Sequence, residues 1–224
     1  MNQVGVKTVL FHGPSGCGKD TQVELLVKDY EFQNIGTGEM IRKLFSEGDE
    51  NAILATEYTT EGKFVPNEII YKEMFPKWLE RYDNSKNWAF VSVVREVGQI
   101  ELLDKLLEGK GRKLDLFIHF TLNPEVAVER MSTRKYCPEC AATFHPKFKP
   151  EQTEGFCTEC NAKLVQRDDD KPEKIRKRLE EYARTIDPIL EVYKKRGVLI
   201  EVDAAPSIEE IHKKVVEVLG LKNQ

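Results

Sequence analysis

Gly13-Pro14-Ser15-Gly16-Cys17-Gly18-Lys19-Asp20-Thr21 places two glycines and a lysine at the Gly-x4-Gly-Lys spacing of a phosphate-binding loop. Val6 to His12, just before it, reads as a buried strand. Lys19 to Tyr30, just after it, reads as a helix with Val23, Leu26 and Val27 on one face. A strand, a glycine-rich turn and a helix in that order make a cradle for the phosphates of a nucleoside triphosphate. Glycines let backbone N–H groups turn toward phosphate oxygens, and the helix presents its positive end. Gly13, Ser15, Gly16, Cys17, Gly18, Lys19, Asp20 and Thr21 are therefore the expected triphosphate-binding residues. Lys19 would offset charge that shifts during transfer, and the Thr21 hydroxyl would help hold Mg²⁺. Asp20 is unusual beside anions: it either faces outward, where the helix dipole favours an acid, or meets the metal. Cys17 reads as a small loop residue, although the dipole near its thiol can lower a pKa.

The rest of the chain repeats the strand–helix rhythm. Ala89 to Val94, Leu116 to Leu122 and Val198 to Val202 read as strands. Asn67 to Tyr82, Gln99 to Leu107, Pro124 to Thr133, Lys171 to Lys195 and Ser207 to Leu219 read as helices. Pro124 and Pro172 stand where a helix begins, and Ser207 with Glu210 has the spacing of a capping box. Such alternation predicts an α/β fold, a parallel sheet flanked by helices. Two segments depart from it. Residues 37–66 show short helical pieces and no strong strand, and residues 135–170 are rich in Cys, Pro and charge, like a small inserted module.

At 224 residues the chain supports one substantial core with insertions, and 40% hydrophobic with 32% charged residues argues against wholesale disorder. The net charge of −4 argues against non-specific coating of nucleic acid. No apolar run approaches a membrane span and the N-terminus shows no signal-peptide pattern, so no membrane partner is expected. Four of the five cysteines form Cys137-Pro138-Glu139-Cys140 and Cys157-Thr158-Glu159-Cys160, with 16 residues between the pairs. Two such knuckles supply four soft sulfurs for a tetrahedral, structural Zn²⁺, with disulfides or an iron–sulfur cluster as the alternatives. Cysteine usage of this kind suits a reducing compartment, and the expected location is the cytoplasm. His145, in Thr143-Phe144-His145-Pro146, reads as a hydrogen-bonding lid residue or a contact near a base, and His12 as a packed residue.

With Thr37-Gly38-Glu39-Met40-Ile41-Arg42, Gly62-Lys63-Phe64-Val65-Pro66, Arg130-Met131-Ser132-Thr133-Arg134, Gln166-Arg167-Asp168-Asp169-Asp170 and Ile175 to Tyr182 added in order, the chain resembles the adenylate kinases. It is most similar to their long-lid, zinc-containing form, over essentially its whole length. The resemblance implies a P-loop NTPase-type core (residues 1–36, 67–133 and 171–224), a nucleoside-monophosphate-binding subdomain (37–66) and a zinc-ribbon-like lid (134–170). It implies Mg²⁺-dependent phosphoryl transfer from ATP to AMP. Thr37, Gly38, Arg42, Phe64 and Val65 would contact AMP, Arg95 would hold its phosphate, and Gln99 would read its base. Arg134, Arg167 and Arg178 would surround the transferring phosphoryl group, and Arg130 would lie along the donor base. Charge stabilisation by arginine forks, complete only on closure, is what such a transfer needs.

One stretch breaks the pattern. Family members carry Asp-Gly-Phe-Pro-Arg at the end of the third strand, and here the stretch is Val91-Ser92-Val93-Val94-Arg95, read as missing the metal-organising aspartate, with Ser92 near its place and one residue deleted. Asp20 taking over the metal role, Ser92 acting through water, and weak catalysis are the three readings. Alternatives to the leading function are relaxed donor (GTP, CTP, UTP) or acceptor (UMP, CMP) specificity, and a low-turnover nucleotide-binding module. Nucleic-acid binding through Phe144, Phe148, Lys147 and Lys149 is opposed by the acids around them. The resemblance covers both monomers and trimers. The Asp168-Asp169-Asp170 run reads as a hinge cluster paired with nearby bases, with a water-mediated Mg²⁺ role as the alternative.

Overall fold

The computed structural model describes residues 7–60, 65–140 and 142–221. Five parallel strands form the central sheet: β1 (Thr8–His12), β2 (Phe32–Gly36), β3 (Asn87–Val91), β4 (Leu116–Thr121) and, named here β7, Leu199–Asp203. Their order is β2-β3-β1-β4-β7. Helix α1 (Lys19–Tyr30) follows β1, and α2 (Thr37–Ser46) and α3 (Glu50–Thr60) follow β2. A π-helical stretch, Glu68–Met74, runs into α4 (Phe75–Leu79). Then come α5 (Gly98–Glu108), α6 (Pro124–Ser132), the paired short strands β5 (Lys135–Tyr136) and β6 (Thr143–Phe144), α7 (Pro172–Lys195) and α8 (Ile208–Leu219). Among the described residues, no helix is long and apolar enough to cross a membrane.

The central strands β1, β3 and β4 are buried on both faces, so their side chains alternate between two cores. Val9, Phe11, Ala89, Val91, Ile118 and Phe120 pack with Val23 and Leu26 of α1 and with Ile211 and Val215 of α8. Leu10, Trp88, Phe90 and Phe117 point the other way, against Ile100 and Leu103 of α5 and Ile186 and Ile189 of α7. Burying a large aliphatic or aromatic side chain stabilises a fold by roughly 1.5–3 kcal/mol. Ser207 caps α8 in the anticipated capping box with Glu210.

The structure corrects several boundaries. β2 was not anticipated, because only Phe32 and Ile35 of its five residues are buried and no alternation shows. β3 stops at Val91 rather than Val94, and the segment read as one helix over 67–82 is interrupted. There the Phe75 N–H bonds to the Ile70 carbonyl five residues back, and Pro76 has no N–H to continue the ladder. On α1, Val27 is 41% exposed. Gln22 is buried instead, its amide donating to the Ile208 carbonyl at 3.0 Å and its Oε1 lying 3.1 Å from His212 Nδ1, because α1 packs sideways against α8.

Neighbouring strands β1 and β3 send their connections to opposite sides, β1 to β2 and β3 to β4. A parallel sheet opens a crevice at the carboxyl ends of two such strands.

Candidate active site

A cleft of about 1460 Å³ opens at that crevice, lined by the loop after β1, by α2, by Ser92 and Arg95, by the inner face of α7 and by lid residues 142–149. The loop is shaped by its glycines. Gly18 precedes α1 at φ 82°, a left-handed conformation that favours glycine. A Cβ on Gly13 would stand 2.8 Å from both the Phe120 carbonyl oxygen and Cys17 Sγ. Ser15, Gly16 and Thr21 line the cleft. Lys19 Nζ lies 3.9 Å from Asp20 Oδ2, with the lysine side chain 13% exposed and the aspartate 71%. Cys17 is buried against the β4 side of the core, and burial raises its pKa even though Lys19 opposes the shift. Desolvation thus outweighs the charge of Lys19, and the thiol is not activated.

Each expected arginine lines the cleft. Arg42 is exposed on α2, one turn after Thr37 and Gly38. Arg134 makes a bidentate pair with Asp170, Nε–Oδ2 2.9 Å and Nη2–Oδ1 2.6 Å, and Asp170 is wholly buried. Arg178 donates to Asp169 at 2.9 Å, and Arg167 stacks over the Tyr136 ring at 3.8 Å. The aspartate run therefore orients Arg134 and Arg178. Arg130 donates to the carbonyls of Ala204 (2.8 Å) and Ala205 (3.1 Å) and lies 4.7 Å over the Phe148 ring. The lid also meets the core through His145 and Thr133 at 3.0 Å and through Lys149 and Glu24 at 3.4 Å. The Lys147 N–H occupies His145 Nδ1, so Nε2 carries the proton given to Thr133.

Arg95 reaches the solvent of the cleft, yet surrounding protein, and then the like charge of Arg178, lower its pKa. Its N–H donates to Gln99 Oε1 at 2.6 Å, and Gln99 Nε2 donates to Asn67 at 2.8 Å, fixing the glutamine. Val65 packs at the edge of the α5-side core, while Phe64 lies outside the described residues. The expected deletion before Arg95 is not there. Counting back from Arg95, Val91 ends β3 where the family pattern has aspartate, and Ser92 takes the glycine position at φ 51°. The Ser92 N–H donates to the Phe11 carbonyl at 2.9 Å. So Val91, not Ser92, stands in the place of the missing carboxylate.

In the lid, the sulfurs of Cys137, Cys140, Cys157 and Cys160 lie within 4.8 Å of one another. The Cys137–Cys160 and Cys140–Cys157 sulfurs are 3.4 and 3.5 Å apart. A disulfide needs about 2.05 Å, whereas a tetrahedron of Zn–S bonds near 2.3 Å has sulfurs about 3.8 Å apart. The four-sulfur set fits Zn²⁺. Phe144 and Leu164 are the buried side chains that pack with Cys137 and Cys157, so little apolar mass supports this module.

Sequence reasoning missed the aromatic partners of the arginines, Tyr136 and Phe148. Each is an aromatic residue inside the cysteine-rich segment, which was the available signal.

Residues 11–198 match the family model described as Adenylate kinase. An adenylate kinase of Thermoanaerobacter sp. (strain X514) is 35% identical over 95% of this chain and 97% of its own length. Those of Caldicellulosiruptor bescii and Archaeoglobus fulgidus are 36% and 32% identical, over 96% and 94% of this chain and 99% and 97% of their own lengths.

Proposed function

The chain belongs to the adenylate kinase family, and on that footing we propose how its residues carry out reversible transfer of the ATP γ-phosphoryl group to AMP, giving two ADP. The observation that carries the proposal is one cleft that joins the phosphate loop to Arg42, Arg95, Arg134, Arg167 and Arg178, contributed by four different parts of the chain. Residues 1–36, 67–133 and 171–224 act as the core, 37–66 as the acceptor clamp and 134–170 as the lid.

The backbone of Gly13 to Gly18 cradles the β- and γ-phosphates, and Lys19 sits among them as a mostly buried cation. Arg130, tethered to the Ala204 and Ala205 carbonyls, stacks along the donor base opposite Phe148. Arg42 and Arg95 hold the AMP phosphate, Thr37, Gly38 and Val65 its nucleoside, and Gln99 its base. Arg134, Arg167 and Arg178 gather around the group in transit, where a metaphosphate-like charge spreads over three equatorial oxygens. The oxygen of AMP attacks in line and the ADP oxygen leaves, without a covalent enzyme intermediate. Burial, and then the like charge of Arg178, disfavour the charge on Arg95, a cost that a substrate phosphate would relieve.

Mg²⁺ bound with ATP would supply charge withdrawal at the phosphate oxygens. Thr21 is the hydroxyl placed to assist it. Val91 offers no ligand, and the exposed Asp20 is the carboxylate of the loop itself. Cys137, Cys140, Cys157 and Cys160 would hold Zn²⁺, which would give the lid its shape. The cytoplasm is the compartment proposed, since the five cysteines are unpaired.

The altered Val91–Arg95 stretch favours one second reading, a broadened acceptor or donor range. A matrix of ATP, GTP, CTP and UTP against AMP, UMP and CMP tests both readings. ATP with AMP giving the highest kcat/KM supports the first. A comparable rate with UMP or CMP supports the second, and slow turnover with every acceptor despite tight ATP binding overturns both.

A further inference from the structure

We propose that His12 is a positioning residue for the acceptor phosphate, holding Arg95 through the carbonyl of Val94. This rests on the reading above in which Arg95 grips that phosphate. His12 ends β1, immediately before the phosphate loop, and is 4% exposed. Its Nε2 lies 2.8 Å from the Val94 carbonyl oxygen. A carbonyl accepts only, so Nε2 carries the proton, and Nδ1 is left with a lone pair and no partner among the described residues. The ring stacks on Phe117 at 5.8 Å and on Tyr182 at 5.5 Å. Tyr182 stands one turn beyond Arg178 on α7, and its hydroxyl meets His119 Nε2 at 2.7 Å. His119 is the residue paired with His12 across β1 and β4. One neutral imidazole thus touches the segment that carries Arg95 and the helix that carries Arg178.

The need for such a tie lies in the loop itself. Val91-Ser92-Val93-Val94 contains no proline to fix a φ angle, and Ser92 stands at φ 51°, a conformation that its surroundings must hold. Two buried donors restrain it from outside. His12 holds the Val94 carbonyl, and the Tyr71 hydroxyl holds the carbonyl of Val93. Arg95 and Arg178 repel each other, and a loop free to relax would let Arg95 swing away from α7. A protonated His12 would add a further cation next to Lys19 and Arg95; burial keeps it neutral.

Steady-state kinetics on the full-length, zinc-loaded protein test the inference. His12→Leu removes the donor, and KM for AMP should rise about tenfold, as the loss of a hydrogen bond to a buried carbonyl implies, while KM for ATP stays within about twofold. His12→Gln places an amide N–H at the same reach from Cβ as Nε2 and should recover most of the AMP effect, whereas His12→Asn, too short, should not. Tyr71→Phe changes no residue near the phosphate loop and should give the same AMP-selective signature, which covers the case in which His12→Leu fails to fold. Equal losses for ATP and AMP, no rescue by glutamine, or a histidine ¹⁵N spectrum showing the Nδ1–H tautomer would each overturn the proposal. Arg95→Ala separates the two levels. An unchanged KM for AMP in that variant sinks the underlying reading, whereas a raised one beside an unaffected His12→Leu sinks this inference alone.

Discussion

Replacing His12 by glutamine should flatten the acid side of the stability curve by an amount the structure allows one to calculate. Burial, Lys19 and then, less strongly, His119 and Arg95 lower the His12 pKa from 6.5 to about 3, against the opposing hydrogen bond to Val94. The folded-state pKa lies below the unfolded one, so between about pH 6.5 and pH 3 the unfolded chain binds the extra proton. Stability is therefore intact above pH 6.5, falls as pH drops through that window, and levels off below the folded pKa. The slope inside the window approaches about 1.4 kcal/mol per pH unit, which gives about 2 kcal/mol between pH 7 and pH 5 from this residue alone. Glutamine does not titrate. Other titrating groups, including His119, whose pKa burial also lowers, remain in both proteins and cancel in the difference. Urea unfolding followed by the fluorescence of Trp78 and Trp88, both buried in the core, reads the required quantity. The wild-type loss from pH 7 to pH 5 should exceed that of His12→Gln by about 2 kcal/mol, or roughly 4–8 °C in Tm for a protein of this size. Parallel curves for the two proteins would refute the placement of a neutral, desolvated imidazole under the loop.

Asp170→Asn should lower stability by about 2–3 kcal/mol, below the usual cost of breaking a fully buried pair because Arg134 is 24% exposed. A kcat reduced in parallel, and no further loss when Arg134→Met is added, would show that the carboxylate acts through that arginine. Gly13→Ala should cost about 1–3 kcal/mol in a thermal melt and weaken ATP binding, since its Cβ meets the Phe120 backbone. Gly98→Ala, where a Cβ meets nothing within 4 Å, should be neutral or slightly stabilising. Thiol titration with a maleimide should find no rapid reaction in zinc-loaded protein, four thiols after chelation and the fifth, Cys17, only after unfolding, because it is buried and its pKa is raised. Early reaction of Cys17 would contradict its packing under the loop.

What could be read from sequence follows from the range of the forces involved. The phosphate loop, the helix starts at Pro124 and Pro172, the capping box at Ser207 and the two cysteine knuckles all depend on residues a few positions apart, and local spacing exposes them. Strand β2 was hidden because it is an edge strand with only Phe32 and Ile35 buried, a three-residue spacing that does not alternate and suits a helix as well. The arginines were legible as a set, but their settings were not. Arg130 bonds to carbonyls 74 and 75 residues away, and Arg134 to a carboxylate 36 residues away. No local pattern encodes those distances.

The Val91–Arg95 segment shows where such limits matter for function. Sequence marked it as irregular and suggested a deletion; counted back from Arg95 the five residues match the five of the motif, and Ser92 takes up a left-handed conformation that an L-residue rarely adopts. Strain of that kind persists only where the surroundings hold it. Here the hold comes from the Phe11 carbonyl, Tyr71 and His12, separated from the loop by 81, 22 and 82 residues. Rigidity that a proline would supply locally comes here from contacts made only in the folded core. It follows that the hold on the Val94 carbonyl beside Arg95, the proposed grip on the acceptor phosphate, depends on the packing of His12 in β1 against Tyr182 in α7. Changes at Phe117, a buried residue of β4, should then reach Arg95 through the His12 ring.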